Sequence, residues 1–204
     1  MSRFDACLRI LSELDVRRST FDVQTRMTNE LTAAEICELL KLEPHATCGF
    51  VRVTFLSKQR IAPGGLPAPF LDDRPAGSAL YFMVTPDAPV RQHRIRNDQL
   101  YHRYLGDPIE VLMLHQNGTS ERAVVGPDLR AGQRVQLLIP GNTFHTARVT
   151  GNRRWFLGAS TEWPGVEQVD VEIGDVEALA TKYPDVADDL RAFQKFLGRC
   201  PRLT

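Results

Sequence analysis

The chain has 204 residues, 25 Lys or Arg and 25 Asp or Glu, and therefore no formal net charge; 43% of its side chains are hydrophobic and 25% charged. That is an ordinary globular composition with enough chain for one sizeable core, and without a basic excess it argues against a general binder of nucleic acid or of a membrane surface, whose phosphates need cations. No apolar run reaches the roughly 20 residues of a bilayer span. Asp5, Arg9, Glu13 and Asp15 interrupt the N-terminal apolar pattern where a signal peptide would be continuous, so a cytoplasmic protein is expected.

Residues 1–45 read as a helical extension. Phe4, Leu8, Leu11 and Leu14 recur at helical spacing, and Val16 to Thr28 reads as a connector. Thr32-Ala33-Ala34-Glu35 has the form of a capping box, in which hydroxyl and carboxylate satisfy free amides at a helix start. Ile36, Leu39 and Leu40 continue that helix, and Pro44 is expected to stop it. From Phe50 the period shortens towards two, through Val51, Val53 and Phe55. The Pro- and Gly-rich stretch from Ile61 to Gly77 reads as a surface loop.

Short strands are then predicted at Ser78–Thr85, Val90–Ile95, Gln99–Leu105, Ile109–Gln116, Glu121–Val125, Arg134–Ile139, Phe144–Val149 and Trp155–Ser160, separated by turn signals. Asn117-Gly118 is a two-residue hairpin signal, since both residues tolerate positive φ. Many short strands at this spacing predict an all-β antiparallel sandwich or small barrel. After Gly174 the pattern turns helical again, with a last helix over Val186 to Leu197. Cys7, Cys37, Cys48 and Cys200 form no C-x-x-C pair and are expected to be reduced and mostly buried.

Two segments concentrate polar chemistry: Gln92 to Gly106, and Gly132 to His145. Together they resemble the two motifs of the cupin superfamily. His93, Ile95, Gln99 and Gly106 stand at the positions of the first motif, and Pro140 and His145 at those of the second. The blocks LEPHATCGFVRVTF, RPAGSALYFMV, HRIRNDQLYHRYLGDPIEV, VVGPDLRAGQ and WPGVEQVDVE resemble more closely a poorly characterised single-cupin family, similar in fold to nucleotide-sugar epimerases. The resemblance implies a single-domain cupin jelly-roll barrel over residues 46–173, flanked by N-terminal helices and by a C-terminal helical segment over 174–204, and a homodimer. The chain departs from the family pattern at Gln99 and Thr47, where Glu is usual, at Tyr101, where Trp is usual, and at His145, where histidine is commonly lacking.

These residues point to a small-molecule site inside the barrel. An imidazole, with a pKa near 6.5 before perturbation, moves protons at neutral pH. The leading reading is an isomerase, epimerase or cyclase with His93 or His145 as base and Tyr101 as proton donor or orienting group, the roles that a His and a Tyr take in the epimerases. Gln99 would be a hydrogen-bond partner, Arg52 an anion clamp and Tyr81 a lining residue. Tyr101 should share the face of Gln99, with His102 on the opposite face. The alternatives are a metal-dependent cupin, a dioxygenase or metal-assisted isomerase holding Fe, Mn, Ni or Zn through His93, Gln99 and His145, and a non-catalytic ligand-binding cupin. The plainer reading of His93 and His145 is a pair of hydrogen-bonded pocket residues. His102 and His115 are read as structural, His45 as a helix cap or a residue of the barrel mouth, and Trp155 and Trp163 as core or dimer contacts. Arg91, Arg94, Arg96 and Arg103 are split by alternation between two faces and read as solvated or dimer-facing. The governing geometric expectation is that the imidazoles of His93 and His145 meet in one water-accessible cavity.

Overall fold

The structure, a computed structural model, describes residues 31–151 and 154–197. The helix expected over Phe4 to Leu14, its connector, Cys7 and Cys200 lie outside the described residues. In chain order the elements are helix α1 (Ala33–Leu40), strands β1 (Glu43–Pro44), β2 (Phe50–Leu56), β3 (Arg60–Ile61), β4 (Arg74–Pro75), β5 (Ser78–Val84), β6 (Val90–Ile95), β7 (Asp98–Gly106), β8 (Ile109–Leu114), β9 (Ser120–Val125), β10 (Gln136–Ile139), β11 (Phe144–Val149), β12 (Phe156–Trp163) and β13 (Val171–Ile173), and helices α2 (Val176–Lys182) and α3 (Ala187–Leu197).

Helix α1 begins with the expected box. Thr32 accepts from the Glu35 amide, and the Glu35 carboxylate accepts from the Thr32 amide at 2.7 Å. It ends before Pro44, however. Lys41 takes a left-handed conformation (φ 54°) and its amide bonds back into the last turn, while Pro44 pairs with Phe50 at the start of the sheet. The strand pattern therefore begins three residues ahead of the barrel boundary read at 46.

The strands make two facing sheets. One has the order β1-β2-β5-β12-β7-β10 and the other β13-β6-β11-β8-β9, with β3 and β4 forming a small ribbon inside the Pro-rich loop. Alternation places Phe82, Val84, Tyr101, Leu137, Ile139 and Phe156 of the first sheet against Ile109, Val111, Met113, Val125, Ala147 and Val149 of the second in one core. Helices pack on the outsides. Leu179, Tyr183, Val186 and Leu190 cover Leu112 and Leu114, and α1 covers Met83, Trp155 and Leu157. Trp155 is a core residue whose indole N–H donates to the Leu31 carbonyl at 2.8 Å, whereas Trp163 stands exposed.

Two turns show why particular residues are needed. Gly106, the glycine of the first polar segment, has φ 83°, and a Cβ there would lie 2.3 Å from the Trp155 carbonyl oxygen. At the β8–β9 hairpin only Gly118 has positive φ. The His115 carbonyl accepts from the Gly118 amide, so the loop is a turn closed by one left-handed glycine and not the two-residue hairpin expected for Asn117-Gly118.

Candidate active site

The inner faces of the two sheets enclose a cavity of about 280 Å³ towards one end of the sandwich. The second sheet contributes His93 on β6. Its direct cross-strand partner on β11 is His145, and the two rings meet with centroids 4.4 Å apart. Only His93 lines the cavity; His145 lies behind it with no exposure. The imidazoles thus meet as expected, but they do not share access to the cavity.

Their hydrogen bonds set different states. His93 Nδ1 lies 2.8 Å from the Arg91 carbonyl oxygen, so Nδ1 carries the proton and donates, and Nε2 keeps its lone pair. His145 Nδ1 faces the Thr143 carbonyl, and His145 Nε2 lies 2.9 Å from the Tyr101 hydroxyl, which therefore donates to it. Burial disfavours the charged form of both rings. It pushes the His93 pKa down to about 4, helped by the charges of His45 and Arg91, and holds His145 well below the ordinary histidine range, with His93 adding to the effect. Burial likewise holds the Tyr101 phenol well above its ordinary value.

The first sheet contributes a row that sequence reading missed in part. Glu162 on β12 is flanked by Gln99 on β7 and Ser78 on β5, and one pleat further on Ser160 is flanked by Tyr101 and Leu80. All six line the cavity. Glu162 is 3% exposed, and its two carboxyl oxygens accept from the hydroxyls of Ser160 and, at 2.6 Å, Ser78. The Ser78 oxygen in turn accepts from the Val166 amide at 3.1 Å. Burial raises the Glu162 pKa against the opposing pull of both hydroxyl donors. Cys48 also lines the cavity as a free thiol, which burial pushes up to about 11. Cys37, the other described cysteine, is a partly buried free thiol.

His45 stands at the rim. Its Nδ1 accepts from the Thr47 amide at 3.3 Å, and desolvation lowers its pKa. His102 lies on the opposite face of β7, as expected, where Nε2 meets Thr161 at 2.8 Å and Nδ1 accepts from Gln136 at 2.9 Å. His115 pairs with Glu121 at 3.5 Å just past the end of β8. The four arginines of the first polar segment have separate partners. Arg94 pairs with Glu172 at 2.6 Å, Arg96 faces Asp170 at 3.9 Å, and Arg91 and Arg103 donate to backbone carbonyls.

Two expectations need correction. Arg52 and Tyr81, cross-strand partners on β2 and β5, both point away from the cavity. Val51, Val53, Leu80 and Phe82 take the inward positions, so alternation sends Arg52 to the exposed outer face, where it donates to the Leu40 carbonyl at 3.1 Å, and Tyr81 against the edge of Tyr104. Arg52 is therefore no clamp for a ligand in the barrel, and Tyr81 is no lining residue. The set His93, Gln99 and His145 also does not fit a divalent metal. The His145 Nε2 lone pair is taken by Tyr101, which leaves one imidazole nitrogen and a neutral amide. Among the described residues no three His, Cys, Asp or Glu side chains converge on a point that would hold an ion.

A two-sheet jelly roll with an imidazole on one inner face and a carboxyl on the other, around one cavity, is a cupin. Residues 34–174 match the family described as Cupin superfamily (DUF985), and the chain belongs to that family. It is similar in structure to a hypothetical protein from Leishmania major, with 22% identity over 80% of this chain and 98% of that one at a TM-score of 0.73. It is also similar to a protein from Shewanella oneidensis, with 24% identity over 80% of this chain and 97% of that one at a TM-score of 0.71. At these identities the likeness is one of fold, and it lends no support to a link with nucleotide-sugar epimerases. No curated protein sequence matches the chain. Among the described residues no helix is long and apolar enough to cross a membrane.

Proposed function

We propose that this cupin is a proton-transfer isomerase, of the epimerase, enolising or cyclising kind, acting on a small uncharged carbonyl compound held in the barrel. The observation that carries the reading is the placement, on opposite walls of one cavity, of an imidazole with a fixed free Nε2 and a carboxyl fixed by two serine hydroxyls.

In the reaction His93 Nε2 takes a proton from the carbon next to the substrate carbonyl, and Glu162, protonated, gives its proton to the carbonyl oxygen. The product of that step is a neutral enol beside an imidazolium and a carboxylate. The enol O–H then returns its proton to Glu162 while the imidazolium delivers the other to carbon, on the opposite face or at a neighbouring position. No electron is gained or lost, and both groups end as they began. Burial takes proton affinity from the imidazole, pushed down to about 4, and adds it to the carboxyl, raised from 4.5, so that before the reaction a proton rests on Glu162 in preference to His93. Gln99, opposite Glu162, orients the carbonyl through its amide. Tyr101 commits its hydrogen to His145 and serves to brace the wall, not as the acid.

A nucleotide-sugar substrate is disfavoured. Among the described residues no Arg or Lys lines the cavity, and its 280 Å³ lies just below the usual span of small-molecule sites, roughly 300 to 1,000 Å³.

The test is deuterium incorporation from D2O at the α-carbon of a panel of small linear and cyclic ketones, followed by proton NMR. The proposal predicts exchange faster than in buffer, reduced on the order of a hundredfold by His93→Ala or Glu162→Gln. Ketones that bind without any exchange, in the parent protein, would leave a ligand-binding cupin instead.

A further inference from the structure

The cavity is polar at its floor and apolar on the β2 side of its mouth, with the exposed polar residues His45 and Gln168 also in its lining. Glu162, Gln99, His93 and Ser160 are all at most 5% exposed, whereas Val53 and Leu56, which line the same cavity, are 63% and 54% exposed. Val51, Leu80, Val166 and Val171 occupy the walls. The mouth is built by a bulge: the register of β2 against β5 slips between Val53 and Phe55, so the inward position passes from Val53 to Leu56 and both apolar side chains face the entrance. Water-exposed apolar side chains that continue an apolar wall inward are poorly placed for a bare polar ligand and well placed for one that covers them. Among the described residues no Arg or Lys lines the cavity, so an anion would give up its water there with no cation to replace it.

We infer that the site takes amphipathic substrates head first: an uncharged carbonyl group on the floor, beside His93 and Glu162, and an apolar chain or ring in the entrance against Val53 and Leu56. The identity of the head rests on the proton-transfer reading above; the orientation rests on the layout of the cavity.

The experiment is a titration of the full chain with 2-butanone, 2-pentanone, 2-hexanone, 2-heptanone and 2-nonanone, with octanoate as the anionic counterpart, by saturation-transfer NMR. Affinity should rise about three- to fourfold per added methylene until the entrance is filled, and octanoate should bind at least tenfold more weakly than 2-nonanone. Val53→Ser combined with Leu56→Ser, both changes at exposed positions, should flatten the series while leaving 2-butanone within about twofold of the parent. Thermal denaturation confirms that this variant is folded. A flat series in the parent, tighter binding of octanoate, or a series untouched by the double substitution would overturn the inference. Deuterium exchange is read in the same tubes. Exchange without a chain-length gradient removes the orientation and keeps the chemistry, and a gradient without exchange removes the chemistry and keeps the orientation.

Discussion

The Tyr101 hydroxyl donates to His145 Nε2 across 2.9 Å, and this bond ties the inner face of one sheet to the inner face of the other behind the cavity. Tyr101→Phe would leave a buried imidazole nitrogen without its partner, at a cost of about 1–3 kcal/mol in urea unfolding. Deuterium exchange should stay within tenfold of the parent, because the bond positions the wall and takes no part in the transfer. A folded Tyr101→Phe protein with exchange abolished would make Tyr101 the acid in place of Glu162.

Stability should fall in mild acid through the two buried imidazoles. In the unfolded chain His93 binds a proton below about 6.5, while in the folded protein it does so only near 4. Between those values the unfolded state holds more protons, so the folded state loses stability as pH falls, by about 3 kcal/mol for this residue at 1.36 kcal/mol per pKa unit. His145 acts in the same direction. Denaturant midpoints at a series of pH values should therefore drop from pH 7 to pH 4, with a shallower drop in His93→Phe; equal slopes in the two proteins would contradict the burial account.

Glu162 has the opposite sign. Its folded pKa is raised above the ordinary 4.5, so the folded state holds the proton where the unfolded state has lost it, and stability falls as pH rises through the folded value. Glu162→Gln should be close to the parent in stability below pH 4.5, gain on the parent as pH rises through the folded value, and hold a constant advantage above it. A variant whose advantage does not grow with pH would show that Glu162 is not desolvated.

A buried ion pair fixes one wall of the cavity. The Arg74 guanidinium, 1% exposed, meets the fully buried Asp170 carboxylate at 2.6 Å and Glu167 at 3.6 Å, and Asp170 also accepts from the Glu167 amide at 2.8 Å. This joins the β3–β4 ribbon to the segment that carries Val166, Glu167, Gln168 and Val171 to the cavity. Arg74→Met should cost about 3–5 kcal/mol in chemical denaturation by stranding a buried carboxylate. Arg74→Met with Asp170→Asn should recover part of it, and a double variant as unstable as the sum of the singles would contradict the pairing.

Most of the fold was legible because alternation and turn chemistry agree along the chain. Val90–Ile95 and Phe144–Val149 begin and end as the pattern predicts, and Thr32 and Glu35 form the cap their spacing predicts. Gly106 takes a left-handed turn, and His93 faces the cavity. What escaped did so for identifiable reasons. Strand β12 runs to Trp163, beyond the boundary read at Ser160, and those last residues put Glu162 on the face of Ser160. The signal was present: Phe156, Gly158, Ser160 and Glu162 alternate up to Pro164, the first residue unable to donate to a ladder. That alternation puts a carboxyl on the cavity face of the strand. The orientation of Arg52 was not legible, since a bulge and a mostly exposed β2 blur the pattern that tells inside from outside. Nor did the sequence tell that His145 would spend its Nε2 on Tyr101, because that depends on how two sheets face each other.

Whether His93 and Glu162 act in one step is tested most directly by ketone deuterium exchange in His93→Ala, Glu162→Gln and the double variant. Groups that move the two ends of one proton transfer lose their effect together. The double variant should therefore be no slower than the slower single variant, both far below the parent. Losses that multiply in the double variant, or a single variant that exchanges at the parent rate, would contradict it.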